Sequence, residues 1–315
     1  MHIVYLDAHT LNPGDLDWVP LMALGEVTFY DRTSPDEIVE RAKNAEILLV
    51  NKVKLSRETM AQLPHLQYVG ITATGYDIVD VAAARERGIV VTNVRGYGSD
   101  SVAQLTFALL LELALQVGRH NQSVHAGDWE RSPDFCYWQS PLIELAGKTL
   151  GLVGYGDIGR KVGDIGRAMG MSVLAHKRYT DPTPGVRFVD LPTLFAESDV
   201  VSLHCPMTPE NRAFVNRDLL ATMKPTSFLI NTSRGGLIQE ADLADALNKG
   251  VLAGAGIDVL STEPPTNANP LLNARNCIIT PHIAWASFEA RGRLLAAVVE
   301  NFKAFQRGEA INVVS

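Results

Sequence analysis

Cysteine, long apolar runs and clustered positive charge are all scarce in this sequence, and each scarcity excludes a class of protein. The cysteines are Cys136, Cys205 and Cys277, whose wide spacing fits neither a disulfide framework nor a zinc site. The longest strongly apolar stretch, 107–117, is interrupted by Glu112 and is far shorter than the about 20 residues that cross a bilayer. We therefore expect no structural disulfide, no bound metal ion and no membrane span.

The charge balance and the amino terminus exclude two further classes. The formal net charge is -7, whereas binding to nucleic acid requires clustered positive charge, so we expect no nucleic-acid partner. Met1 leads directly into a strand-like run at 2–6, without the basic and apolar regions of a secretory signal. We therefore expect a cytoplasmic location.

What the chain does have is the composition of a globular protein. It is 46% hydrophobic and 20% charged, which is typical of a chain that buries a core. Its 315 residues fit two domains of ordinary size better than one.

Apolar runs of strand length alternate with helical patterns along most of the chain. Strand candidates lie at 3–6, 27–30, 47–50, 66–70 and 89–92, and then at 150–153, 172–175, 200–204, 228–231, 255–258 and 277–280. This rhythm is typical of βαβ units. It predicts an α/β fold with two doubly wound parallel-sheet domains.

Two helical patterns set the expected domain boundaries. Ser99–Ser101 offers N-cap chemistry before an apolar pattern at 102–117, which predicts a long buried helix. The apolar spacing of 288–305 predicts a final helix that packs back on the first domain. We expect a discontinuous first domain at 1–98 plus 288–315, and a second domain at 99–287.

The segment 154–159 reads Gly-Tyr-Gly-Asp-Ile-Gly and lies between a strand pattern and a helical pattern. Gly154 permits a tight turn, Gly156 lets the backbone approach a pyrophosphate, and Gly159 lets the helix pack closely on the sheet. The first helical amides, at Asp157 and Ile158, would face the phosphates. Context thus favours a dinucleotide site over a simple glycine turn.

The end of the second strand in this domain bears on which coenzyme binds. An NAD site has an acid there, about 20 residues after the glycines, to bond the ribose hydroxyls. This chain has His176, Lys177 and Arg178 instead. Two cations favour the 2′-phosphate of NADP, although a solvated surface pair would look the same. We predict a preference for NADPH over NADH.

Polar residues also follow three later strand candidates. Arg234 lies on a glycine turn after 228–231, Asp258 and Glu263 follow 255–257, and His282 follows 277–280. Each alone has an ordinary structural explanation. Because the carboxyl ends of parallel strands meet at one sheet edge, together they predict a cation, an acid and an imidazole beside the coenzyme.

Four segments together resemble the D-isomer-specific 2-hydroxyacid dehydrogenases: 150–159, 231–236, 256–264 and 281–285. The resemblance implies a Rossmann nucleotide-binding domain inserted in a flavodoxin-like substrate domain. It also implies that Arg234 clamps the substrate, that His282 is the acid/base and that Glu263 is its partner. The nicotinamide would supply a hydride to the keto carbon and His282 a proton to its oxygen. The planar fork of Arg234 suits a carboxylate better than lysine would.

The same resemblance extends to the residues that line the site. It implies coenzyme contacts at Gly154, Gly156, Asp157, Ile158, Gly159, Lys177, Arg178, His204, Cys205, Pro206, Thr232, Asp258 and Thr106. It implies substrate contacts at Thr74, Gly75, Arg234, His282, Trp285 and Trp138. Thr106, His204 and Cys205 equally fit interior packing, and the turn around Thr74 equally fits a helix cap by Asp77.

The run from His282 to Arg291 looks most like glycerate dehydrogenases, also called hydroxypyruvate reductases. This favours hydroxypyruvate or glyoxylate as substrate, with D-glycerate or glycolate as product. D-Lactate and other D-2-hydroxy acids remain alternatives, because one hydroxymethyl group changes pocket binding only modestly. A coenzyme-binding corepressor is the alternative from another class. Family members are generally dimers, and we expect a homodimer with Trp138 at the interface.

Overall fold

The computed structural model describes residues 1–178 and 182–315, which divide into two compact units. Unit 1 consists of Met1–Gly98 and Ala286–Ser315, and unit 2 of Ser99–Trp285. In sequence, unit 2 is thus inserted between the two segments of unit 1.

Unit 1 is built on a five-stranded sheet. Its strands are β1 (His2–Tyr5), β2 (Glu26–Phe29), β3 (Ile47–Val50), β4 (Tyr68–Ile71) and β5 (Val90–Thr92). Its first helices are α1 (Val19–Met22), α2 (Ile38–Ala42), α3 (Arg57–Ala61) and α4 (Val81–Glu86). The strand order β2-β1-β3-β4-β5 with parallel pairing is the flavodoxin-like order.

Apolar residues of β1, β3 and β4 are fully buried because helices cover both faces of the sheet. The last helix of the chain (Phe288–Gln306, α11 below) belongs to this unit. Its Phe302 and Phe305 rings lie 5.6 and 4.7 Å from the ring of Tyr68 in β4, measured between centroids.

Unit 2 is built on a seven-stranded sheet. Its strands are β6 (Thr149–Val153), β7 (Ser172–His176), β8 (Val186–Phe188), β9 (Val200–Leu203), β10 (Phe228–Asn231), β11 (Gly254–Ile257) and β12 (Cys277–Ile279). Its helices are α5 (Ser99–Leu115), α6 (Val117–His125), α7 (Asp157–Ala168), α8 (Leu191–Glu197), α9 (Arg217–Leu220) and α10 (Glu240–Lys249), and the chain ends with α11 (Phe288–Gln306) in unit 1.

The order β12-β11-β10-β9-β6-β7-β8, all parallel, contains the dinucleotide-binding order 3-2-1-4-5-6 with one strand added. Asn231 at the end of β10 is in register with Leu203 of β9 and Ile257 of β11. The residues that follow these strands therefore leave the sheet at the same edge. The predicted fold class, two doubly wound parallel-sheet domains, is confirmed.

The bounds predicted for the long helix of unit 2 were wrong. The helix predicted at 102–117 begins at Ser99 and ends at Leu115, so Ser99–Ser101 form its first turn instead of capping it. Gln116 then adopts a left-handed conformation (φ 47°), and the chain starts α6 in a new direction. The sequence of α6 is polar and lacks a clear apolar stripe, and the three residues of β8 are too few to show alternation. Neither element was predicted.

No single helix in the described residues is long and apolar enough to span a membrane. Helices α5 and α6 together have the necessary length and composition, but they are bent by 56° relative to each other.

Candidate active site

Three neighbouring strands of unit 2 deliver the residues with catalytic potential. Strands β10, β11 and β12 pair in parallel, and Arg234, Asp258 and His282 follow them in that order. Backbone hydrogen bonds continue beyond the strands: the Asp258 amide donates to the Asn231 carbonyl at 2.9 Å, and the His282 amide donates to the Asp258 carbonyl at 2.8 Å. The sheet therefore fixes the backbone at each of these positions.

The turn that carries Arg234 is held by the buried side chain of Asn231. The Asn231 Nδ2 donates to the Arg234 carbonyl at 3.0 Å, and its Oδ1 accepts from the Ser233 amide at 3.0 Å. The Arg234 guanidinium donates to the Ser233 carbonyl at 2.8 Å through Nη1. This one contact orients the side chain and leaves most of its five N–H donors for other partners.

His282 and Glu263 are two ionisable side chains of the site in direct contact. The Nδ1 of His282 lies 2.6 Å from Glu263 Oε2, and Glu263 Oε1 accepts from the Leu260 amide at 2.9 Å. A hydrogen bond from Nδ1 to the carboxylate places the proton on Nδ1 and leaves Nε2 for chemistry. His282 itself has a positive φ of 56°, which is uncommon for a residue with a side chain and is found in functional loops.

Asp258 holds the loop that carries His282. Its side chain is buried, Oδ1 accepts from the Thr280 hydroxyl at 2.6 Å and the Ile283 amide at 2.9 Å, and Oδ2 accepts from the Ala284 amide at 2.9 Å. Burial raises the pKa of Asp258, while these hydrogen bonds oppose the rise. The coenzyme contact that the family resemblance implies for Asp258 stays a prediction.

Gly235 brings the Arg234 turn against the loop before Glu263. A Cβ at Gly235 would lie 2.0 Å from the carbonyl carbon of Leu260, so only glycine fits there. The next residue, Ser261, donates from its amide and its hydroxyl to the two oxygens of Glu240, each at 2.7 Å. The turn and the loop are thus packed backbone against backbone.

The fingerprint glycines lie between β6 and α7. Gly154 has a φ of 96°, and a Cβ there would lie 2.6 Å from the carbonyl carbon of His204. A Cβ at Gly159 would lie 2.3 Å from the Gly154 carbonyl oxygen, whereas a Cβ at Gly156 would meet nothing within 4 Å. Two glycines therefore serve the tight turn, and the third leaves open space beside the start of α7. This arrangement fits a dinucleotide pyrophosphate.

The segment after β9 lies against this turn. His204 Nε2 lies 2.9 Å from the Ser202 hydroxyl, and burial lowers the pKa of His204 to about 4. The Cys205 carbonyl accepts from the Ser233 hydroxyl at 2.6 Å, and burial raises the pKa of its thiol to about 11. Pro206 accepts from Asn211 Nδ2 at 2.9 Å through its carbonyl. Both His204 and Cys205 are therefore uncharged near neutral pH.

The remaining predicted coenzyme residues lie on three elements of unit 2. Thr106 of α5 and Thr232, which follows β10, are buried with their hydroxyls 3.2 Å apart. Lys177 and Arg178 directly follow β7, where Lys177 is half-buried and Arg178 exposed.

The predicted substrate residues divide between the two units. Thr74 and Gly75 lie in unit 1 after β4, where the Thr74 hydroxyl donates to the Val94 carbonyl at 2.8 Å. Asp80, not Asp77, caps the following helix by accepting from the Ala83 amide. In unit 2, Trp285 is half-buried, and the side chain of Trp138 is exposed in the segment between α6 and β6.

Sequence reasoning missed the residues that hold the site residues in place. The Asn231 side chain donates to the Arg234 carbonyl, the Thr280 hydroxyl donates to Asp258 Oδ1, and Gly235 packs against the Leu260 backbone, as described above. Asn231 ends an apolar strand and Gly235 lies in a glycine pair, so both positions carried a weak local signal. The partners of Thr280 and Gly235, which are Asp258 and Leu260, are distant in sequence, and nothing local identifies them.

Comparison with known proteins adds an independent finding. The family model described as D-isomer specific 2-hydroxyacid dehydrogenase, NAD binding domain, matches residues 107–284. The chain is 50% identical to hydroxypyruvate reductase from Blautia hydrogenotrophica over the full length of both chains. It is 43% identical to glycerate dehydrogenase from Methylorubrum extorquens over 90% of each chain.

A solved structure is similar over the whole chain. The NADPH-dependent glyoxylate/hydroxypyruvate reductase from Sinorhizobium meliloti superposes with a TM-score of 0.86 at 31% identity, covering 100% of this chain and 97% of the other. The structural similarity therefore extends over both parallel-sheet units of this chain.

Proposed function

The chain belongs to the D-isomer-specific 2-hydroxyacid dehydrogenase family, and we propose that within it the chain reduces hydroxypyruvate and glyoxylate with NADPH, yielding D-glycerate and glycolate. It is an oxidoreductase that transfers a hydride between a nicotinamide coenzyme and a 2-keto acid. The observation that carries the proposal is the pair of His282 and Glu263, 2.6 Å apart at the sheet edge where Arg234 also lies.

Each of these residues has a distinct task in the reduction. The coenzyme, when bound, supplies the hydride. The Nε2 of His282 donates the proton that the carbonyl oxygen needs, and Glu263 keeps the ring oriented and stabilises its charged form. Arg234 binds the substrate carboxylate through its planar fork. We assign Asp258 to the carboxamide of the nicotinamide, and the same carboxylate holds the loop of His282 by three hydrogen bonds.

The preference for NADPH is supported by the charge at the end of β7. Lys177 and Arg178 occupy the place where an NAD enzyme has an acid. The Sinorhizobium meliloti neighbour, described as NADPH-dependent, is consistent with this choice. Replacing both residues by alanine should raise KM for NADPH by about 10- to 100-fold, because charge-assisted bonds to the 2′-phosphate are lost, and should leave KM for NADH unchanged. Equal effects on both coenzymes would reject the preference.

The substrate proposal is supported by two of the relatives described above, which are named hydroxypyruvate reductase and glycerate dehydrogenase. The test is kcat/KM for hydroxypyruvate, glyoxylate, pyruvate and a branched 2-keto acid, each with NADPH and NADH. Hydroxypyruvate with NADPH should give the highest value. A higher value for pyruvate would identify a D-lactate enzyme, and no turnover of any 2-keto acid would favour a coenzyme-binding regulator.

A homodimer is supported by the exposed aromatic side chains of the segment between α6 and β6. Trp129, Phe135 and Trp138 are 53%, 89% and 66% exposed. The segment is nevertheless ordered, since the Tyr137 hydroxyl lies 2.9 Å from that of Ser123 in α6. Large exposed apolar groups on a preorganised segment are typical of a protein interface. Sedimentation equilibrium should give twice the chain mass, and Phe135→Ser should lower it.

The remaining predictions on partners and location are part of the same proposal. We expect neither nucleic acid nor a membrane as partner, and a cytoplasmic location. Fractionation of cells that produce the protein at natural levels would test the location.

A further inference from the structure

A chain of three asparagines in unit 1 connects the carboxy-terminal tail to the loop after β4. Asn93 directly follows β5, Asn301 lies in α11 and Asn312 lies in the tail. We propose that this asparagine relay, Asn93–Asn301–Asn312, makes the tail a positioning element for the 73–75 loop. The inference rests on the proposed function and on the substrate contacts that the family resemblance implies for Thr74 and Gly75.

The first link joins Asn93 to the loop. Asn93 Nδ2 donates to the Thr74 carbonyl at 2.7 Å, and the Thr74 hydroxyl donates to the Val94 carbonyl at 2.8 Å. The Val94 amide donates to the Ala73 carbonyl at 3.0 Å. Three hydrogen bonds therefore attach 73–74 to 93–94, and these bonds determine the direction of the peptide groups that precede Gly75.

The second link joins Asn93 to the tail. Its amide donates to the Asn312 carbonyl at 3.2 Å, and its carbonyl accepts from Asn301 Nδ2 at 3.0 Å. Asn312 Nδ2 in turn donates to Asn301 Oδ1 at 2.7 Å. Asn93 and Asn301 are almost fully buried, so the hydrogen bond between them is shielded from competition by water.

The tail is itself fixed to the edge of the sheet. Val313 forms an antiparallel bridge with Thr92 of β5, and the Val314 amide donates to the Val91 carbonyl at 2.8 Å. The Ser315 hydroxyl accepts from the Val91 amide at 3.1 Å. The tail thus pairs with the edge strand β5, and this pairing holds Asn312 next to Asn93 and Asn301.

A buried oxygen without a partner indicates that the important group of the Asn93 side chain is its Nδ2 donor. Within the described residues, Asn93 Oδ1 is buried and has no hydrogen-bond partner. An unpaired buried acceptor is costly and rare. An aspartate would present a second acceptor to the Thr74 carbonyl, and an apolar residue would leave that carbonyl without its donor. The hydrogen bond from Asn93 Nδ2 to the Thr74 carbonyl therefore explains why a side-chain amide suits position 93.

The test uses Asn312→Gly, because Asn312 has a φ of 55° that glycine adopts without strain. The matched control is Asn276→Gly, which removes an amide from another left-handed position, φ 51°, in unit 2. Loss of the hydrogen bond from Asn312 Nδ2 to Asn301 Oδ1 should raise KM for hydroxypyruvate about fivefold. KM for NADPH should not change. Asn93→Asp, a second variant that removes the donor directly, should have the same effect.

Two further measurements separate this inference from the proposed function. Deuterium exchange of the peptide amides at 72–77 should accelerate in Asn312→Gly and not in Asn276→Gly. The dissociation constant of malonate, a non-reacting carboxylate probe, should rise about fivefold in the NADPH complex. Unchanged exchange, or faster exchange with unchanged malonate binding, overturns the relay. If the unaltered enzyme does not reduce hydroxypyruvate, the proposed function fails, while exchange and malonate binding still decide on the relay.

Discussion

The Nδ1 of His282 and the Oε2 of Glu263 lie 2.6 Å apart, although the two residues are 19 positions apart in sequence. This hydrogen bond gives the ring one tautomer and one orientation, and it places a negative charge beside the imidazole. A proton donor held in this way can protonate a carbonyl oxygen through Nε2.

Glu263→Gln should therefore reduce kcat for keto-acid reduction by about 10- to 100-fold, because the amide keeps the shape and loses the charge. His282→Ala should cost more, about 10²- to 10⁴-fold, since it removes the proton donor itself. Steady-state kinetics with saturating NADPH measure both. Glu40→Gln, at an exposed position of unit 1, is the control and should be silent. Near-normal kcat in His282→Ala would rule out its role.

Arg234→Lys tests the planar fork. Lysine keeps the charge but cannot form two parallel bonds to a carboxylate, so kcat/KM for the keto acid should fall by about 10- to 100-fold. Most of the loss should be in KM, and the dissociation constant of NADPH should not change. The matched control is Arg212→Lys at an exposed position of the same unit. A loss confined to NADPH binding would contradict the assignment of Arg234 to the substrate.

Gly235→Ala should disturb the site without touching a reacting group. The new Cβ would lie 2.0 Å from the Leu260 carbonyl carbon, so the Arg234 turn must move away from the loop that leads to Glu263. We expect a loss of about 1–3 kcal/mol in the free energy of unfolding and a clear fall in kcat. Urea denaturation and kinetics measure the two effects.

Gly236→Ala is the control for this substitution. Its Cβ would meet the Met207 sulfur at 2.6 Å, the far part of a flexible side chain that can turn aside. It should therefore be much milder. Equal losses of unfolding free energy and kcat in the two variants would mean that close packing against Leu260 does not cause the effect of Gly235→Ala.

His204 should make the folded state sensitive to acid. Burial lowers its pKa to about 4 in the folded chain, below the about 6.5 of an exposed histidine. The unfolded chain thus binds the proton first as pH falls. The stabilisation is complete above about pH 6.5 and is lost as pH falls towards 4, by at most about 3 kcal/mol.

His204→Gln should remove this part of the acid sensitivity. Glutamine can still bond to the Ser202 hydroxyl and does not titrate. The Tm difference between pH 7 and pH 4.5, measured without coenzyme, should therefore be smaller in the variant than in the parent. His65→Gln, at an exposed position, should keep the parent's difference. If the Tm difference between pH 7 and pH 4.5 were the same in His204→Gln as in the parent, His204 would not contribute to the acid sensitivity.

The fold was predictable because its signals are local. Apolar runs such as 47–50 and 228–230 lie in β3 and β10, since a strand buried on both faces is apolar along most of its length. The fingerprint at 154–159 is local as well, because its glycines serve one turn. Prediction failed at Gln116 and at β8, where a left-handed residue and a short edge strand leave no periodic pattern.

By itself, then, the sequence determined the order of strands and helices, the resemblance to a family and the segments that carry chemistry. Only the tertiary structure decided which side chains meet. The contacts of Glu263 with His282, of Gly235 with Leu260 and of Asn93 with Asn312 join residues that are distant in the chain. Hydrogen bonds and packing act only over a few ångströms in space. The separation of two residues in sequence does not give their distance in space, which depends on how the sheets bring the strand ends together.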